Sequence, residues 1–110
     1  MNVRISARAR DDLDCIFARV CARRGIEAGD RCLNLVRQAV VFLSEHPEAG
    51  PHPSWATRHK SLRFWVISKT NFLIYYFSDG YGVSIERVLD GRRDVKRIFE
   101  EGSDSHSAQD

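Results

Sequence analysis

Six consecutive residues, Phe72-Leu73-Ile74-Tyr75-Tyr76-Phe77, are apolar or aromatic, so a strand through them would have no polar face. A run of this kind is expected of a central strand. Turn formers bound it, Lys69-Thr70-Asn71 before and Asp79-Gly80-Tyr81-Gly82 after, the second a strong hairpin signal. Leu62 to Ile67 alternates weakly on one side, and Val83 to Leu89 supplies a strand on the other. The three segments read as an antiparallel meander. Gly91 breaks the last strand, and Arg92 to Glu101 can form a short helix with Val95, Ile98 and Phe99 on one side.

The first half of the chain has helical periodicity. Val3 to Ile5 reads as a short strand, and Ser6 can cap a helix that follows at once. Asp11 and Asp12 are expected in its early turns, where a carboxylate suits the helix dipole. Leu13, Ile16, Phe17, Val20 and Cys21 form one apolar stripe before Gly25 stops the helix. A second helix from near Glu27 aligns Cys32, Leu35, Val36, Ala39, Val40 and Leu43, and Pro47 ends it at His46. So short a join predicts an antiparallel helical hairpin. Residues 47–60 hold all three prolines and no periodicity, as in long loops that are functional or mobile. The expected fold is α+β, a sheet packed on a helical hairpin, in a single domain over residues 1–101. Residues 102–110 form a polar tail expected to be disordered.

Composition narrows the setting. No apolar run approaches the roughly 20 residues of a membrane helix. Met1-Asn2-Val3-Arg4 lacks the apolar stretch of a signal peptide, so the chain reads as cytoplasmic. Cys15, Cys21 and Cys32 are odd in number and lack C-x-x-C spacing, which suits buried free thiols. The net charge of +2 conceals an asymmetry, with +5 over residues 58–97 and −4 over the end of the chain. Only three of the 17 basic residues are Lys, and arginine's planar fork pairs bidentately with phosphate or carboxylate. His46, His52 and His59 fall in or beside one loop, but without metal-ligand spacing or a supporting carboxylate; no metal or cofactor is expected.

The order of elements, with Tyr75-Tyr76, Arg87-Val88-Leu89-Asp90-Gly91-Arg92-Arg93-Asp94 and Ile98-Phe99, resembles the RelE/ParE toxin superfamily over roughly residues 2–100. The strand end from Arg87 to Asp94 looks like the ParE branch. That resemblance implies an operon with a cognate antitoxin of ribbon-helix-helix type, growth arrest when the toxin is free, a role such as plasmid stabilisation, and contact with DNA only through the antitoxin. RelE-like members cut mRNA in the ribosome, whereas ParE-like members poison DNA gyrase. RNA cleavage needs a base for the 2′-hydroxyl, a proton donor and cations for the phosphorane. The RelE-like set includes an Arg in the central strand and a Tyr or His near the C-terminus. Leu73 and Phe99 stand at those places here, and Arg93 alone matches a strand-end cation. The chain therefore reads as a binding toxin directed at gyrase. The ribosome-dependent endoribonuclease, with Arg93 as its catalytic cation, and a non-toxic co-repressor remain as alternatives.

Candidate target- or antitoxin-binding residues are Arg63, Trp65, Arg87, Arg92, Arg93 and Phe99. Arg63 and Arg87 are expected on neighbouring strands, flanking one open sheet face. Arg92 and Arg93 could meet a partner or pair with Asp90 and Asp94. Trp65 could be an exposed anchor or part of the core. One of Tyr75 and Tyr76 is expected to be buried, leaving the other for a partner. Because the tail offers no apolar residue beyond Ala108, deleting residues 102–110 should leave the thermal melting temperature unchanged. A large drop would show that the tail docks.

Overall fold

The computed structural model describes residues 2–79 and 82–100; Gly80 and Tyr81 of the second turn and the polar tail 102–110 lie outside the described residues. The elements are β1 (Asn2–Ile5), α1 (Ala7–Arg24), α2 (Ile26–Glu45), β2 (Leu62–Val66), β3 (Phe72–Ser78) and β4 (Gly82–Asp90). A last helical turn, α3, covers residues 95–100. It begins later than expected: Arg92 and Arg93 lie in the preceding turn, and the Asp94 carboxylate accepts the Arg97 N–H.

The strands form one sheet in the order β1-β4-β3-β2. β2, β3 and β4 are the antiparallel meander, and β1 joins it parallel to β4, with Val3 opposite Val83 and Ile5 opposite Ile85. Both β3 and β4 are therefore interior. Ile74, Tyr76, Ile85 and Val88 meet Ile16, Val36, Ala39 and Leu43 of the helices in the main core. On the opposite face Leu62, Tyr75 and Leu89 pack with Ala56 of the 47–60 loop and Val95 of α3. The helices cover one side of β3 and the loop and α3 cover the other, which is why its sequence has no polar face.

Both tyrosines are consumed by this packing. Tyr76 is fully buried and Tyr75 is 4 % exposed, so neither is left for a partner, contrary to the expectation from their alternation. The Tyr76 hydroxyl donates to the Pro47 carbonyl and accepts the Gly50 N–H, both at 2.9 Å. Gly50 fits because a Cβ there would run into the Phe64 backbone oxygen and the Tyr76 hydroxyl. The loop is held further by Phe64 N–H donating to Pro51 and by His52 Nδ1–H donating to the Leu62 carbonyl. A segment without periodicity is thus a fixed cover, tied by side chain to backbone rather than by a repeat.

Ser6 caps α1 as expected, its hydroxyl accepting the Ala9 N–H. Gly25, with φ of 93°, ends α1 and begins α2 in one residue. Asp11 and Asp12 lie beyond the first turn, which holds no acidic residue, so neither serves the helix dipole as expected. Asp12 instead accepts Arg87 Nε at 2.8 Å, a second Arg87 nitrogen at 2.9 Å and the Val88 N–H at 3.0 Å. The Asp12 and Arg87 side chains are only 13 % and 19 % exposed. Removing one member of such a pair strands the other in a poorly solvated site. Asp12→Ala should therefore cost about 3 kcal/mol in urea unfolding. A loss below about 1 kcal/mol, the range of an exposed pair, would show that solvent screens it.

Candidate functional site

The candidate residues do not gather on one open face. β3 separates β2 from β4, so Arg63 and Arg87 are not on neighbouring strands: Arg63 pairs in register with Tyr76, and Arg87 with Tyr75. Arg63 donates to the Glu48 and Gly50 carbonyls at 3.0 and 2.7 Å, pinning the loop, while Arg87 is spent on Asp12. Phe99 packs its ring on Tyr75 and Trp55, at centroid distances of 5.0 and 5.6 Å, as part of the second core. Trp65 falls between its two readings. It is half-buried against the main core and stacks on Phe42 at 5.0 Å. Phe42 and its neighbour Val41 are exposed on α2, so the Phe42–Trp65 stack presents an apolar patch at the surface.

Arg92 and Arg93 sit in the turn after β4 with their side chains outward. Arg92 grips Asp90 through Nε at 3.0 Å and a terminal nitrogen at 2.7 Å, and its backbone N–H adds a third bond at 2.9 Å. Asp90 does not pair with Arg93, whose guanidinium makes no ion pair among the described residues. The fork from Arg92 holds the Asp90 carboxyl down at about 2, overcoming the upward push of burial; the Arg92 backbone N–H and the charges of Arg92 and Arg19 act in the same direction as the fork.

Arg92 also borders a feature that the sequence did not disclose. A cleft of about 690 Å³ opens between the Gly25 end of the helical hairpin, the β2–β3 turn and the end of β4. Six cations line it: Arg19, Arg23 and Arg24 from α1, Arg31 from α2, Lys69 from the turn and Arg92. Among the described residues Asp90 is the one carboxylate in the lining, and Arg92 already holds it. Among the described residues Arg23, Arg24, Arg31 and Lys69 make no ion pair. The six cations come from four separate segments of the chain, so linear charge counts could not assemble them. The i, i+4 spacing of Arg19 and Arg23 was the available signal. Lys69 is carried outward at φ of 66° by a turn in which the Thr70 hydroxyl accepts the Phe72 N–H.

Other candidate chemistry is sparse. Cys32 is buried at the cleft floor, and burial pushes its thiol up; Cys21 is half-buried, but Cys15 is exposed rather than buried as expected. Among the described residues no three His, Cys, Asp or Glu side chains converge to hold a metal ion. Among the same residues, no helix is long and apolar enough to cross a membrane.

The Asp90 pairing makes a pH prediction. Its folded value lies below the ordinary 3.8, so the stabilisation is complete above that range and disappears as pH falls through about 2. Carboxyl NMR titration should find Asp90 near 2 in the native chain and close to the ordinary value in Arg92→Ala. An unchanged titration in the variant would mean that Arg92 is not the cause.

The model of the ParE toxin of type II toxin–antitoxin systems, parDE, matches residues 3–95 of the chain. No curated protein matches the sequence. Among solved structures, the chromosomal ParDE toxin–antitoxin system from P. aeruginosa superposes with a TM-score of 0.68 at 19 % identity, covering 80 % of this chain and 92 % of that one. Likeness at that identity speaks for the fold; the family match rests on the sequence. The chain belongs to the ParE toxin family of type II toxin–antitoxin systems.

Proposed function

We propose that this chain is a cytoplasmic toxin that inhibits DNA gyrase by binding it and is neutralised by a cognate antitoxin. The observation that carries this reading is the apolar packing on the second face of the sheet. Leu73 packs into that face where RNA-cutting relatives would carry an Arg, and Phe99, at the place of their Tyr or His, lies against Tyr75 and Trp55. Burial pushes the Tyr75 phenol up to about 12, far from a group able to exchange a proton near neutrality. Arg93 remains as a cation that makes no ion pair among the described residues. The surface suits binding better: exposed Val41 and Phe42 with the Phe42–Trp65 stack offer apolar area for an antitoxin segment, and charged groups at the rim would set association rate more than affinity.

The test is gyrase supercoiling with the purified chain, together with growth and mRNA integrity on induction. Inhibited supercoiling, filamentation and intact mRNA are expected. Rapid loss of translation with cleaved mRNA and undamaged DNA would establish the ribonuclease instead, and no effect on either target would favour a co-repressor. Arg93→Ala should reduce inhibition partially, by about 1–2 kcal/mol, as for one contact among several. Arg93→Lys should stay near normal, since it keeps the charge while losing only the fork. Complete loss in both, from a folded protein, would point to transition-state chemistry.

A further inference from the structure

We propose that the arginine-lined cleft binds a nucleotide carrying two or more phosphates. Positive charge is concentrated there, and only part of it serves the fold: Arg23 and Arg24 lie in the last turn of α1, where cations suit the helix dipole. Arg92 is engaged by Asp90 and Arg19 feels the same carboxylate, but Arg23, Arg24, Arg31 and Lys69 have no ion pair among the described residues. Holding so many like charges around one space is unfavourable without a counter-charge. Five of the six cations are arginines, whose forks match phosphate bidentately.

The size of the cleft selects among anions. Its volume of about 690 Å³ corresponds to a space about 9 Å across if equant, within the range of small-ligand sites. An extended peptide advances about 3.3 Å per residue and turns alternate side chains away, so about three residues would fit, with one or two carboxylates on the cationic wall. A di- or triphosphate places more negative charge in the same length, because a terminal phosphate alone carries about −1.5 to −2 near neutral pH.

The rest of the lining suits a nucleoside. Val20, Leu35 and Phe72 give an apolar floor, and the Phe72 ring, like the guanidinium planes, is a surface on which a base stacks. Asn34, Gln38 and Asn71 carry amides that donate to and accept from base or ribose edges. Inorganic polyphosphate would use the rim alone, whereas a nucleotide uses rim and floor together.

Calorimetric titration of the full chain with ATP, AMP, inorganic triphosphate and pentaglutamate tests the assignment. ATP should bind at least tenfold more tightly than AMP and more tightly than inorganic triphosphate, and all should weaken with salt. Charge reversal of Arg31→Glu with Lys69→Glu, both exposed and without an ion pair among the described residues, should weaken ATP at least tenfold without changing the melting temperature. Arg58→Glu, exposed outside the cleft, should leave ATP binding unchanged. Inorganic triphosphate binding as tightly as ATP would overturn the nucleotide in favour of a bare anion site. Pentaglutamate binding more tightly than ATP would assign the cleft to an acidic polypeptide. Equal weakening by Arg58→Glu, or none by the double reversal, would overturn the cleft as the site.

Discussion

β1 ends at Ile5, opposite Ile85, and leaves the outer edge of β4 without a strand beyond that point. Unpaired backbone groups at such an edge must find other partners or stay in water. Here α1 supplies them. The Ser6 N–H donates to Ile85, the Ser6 hydroxyl donates to the Glu86 carbonyl, and Asp12 accepts the Val88 N–H while gripping Arg87. The same stretch of β4 carries an irregularity, since Tyr75 pairs with Arg87 but Tyr76 pairs with Ile85, leaving Glu86 over. One helix therefore repairs both the missing strand and the bulge. Because Gly25 joins α2 to α1 directly, fixing α1 also fixes the hairpin, and with it the position of its arginines relative to the end of β4.

How much of this could be read in advance depends on the range of each interaction. Leu13, Ile16, Phe17 and Val20 declare a helix by spacing alone, and Ser6 declares its start, because those signals are local. Phe72 to Phe77 declares an interior strand for the same reason. The cover on its second face was illegible, because nothing periodic marks it. It rests on single contacts such as the Tyr76 hydroxyl at Pro47 and Gly50, which join residues more than 25 positions apart. A loop rich in proline reads as mobile until the hydroxyl that holds it is known.

Charges are harder still, since a sequence gives their number and not their partners. Arg63 and Arg87 looked like surface groups, yet one holds loop carbonyls and the other a carboxylate 75 residues away. Arg92 was legible as a partner of Asp90 because the two lie two residues apart and close locally. The cleft was not, because it gathers α1, α2, the β2–β3 turn and the end of β4. Family membership set the frame for Arg93 and made Leu73 and Phe99 legible as departures, and the structure adds that both pack against the second core.

That packing bears on the proposed division between cutting and binding. A nuclease face has to keep polar groups partly solvated so that they can take and give protons during the reaction. In this chain Tyr75, Phe99 and Trp55 pack together on the corresponding side of the sheet, Tyr75 buried and the other two partly so, and each ring adds stability there. An Arg in place of Leu73, which packs part-buried against that cluster, would lose some of its hydration, at a cost that Arg93 in the outer turn could not offset. A protein that works by binding has no such need. It requires a rigid surface, and under the proposed binding role the packing of Tyr75, Trp55 and Phe99 contributes that rigidity.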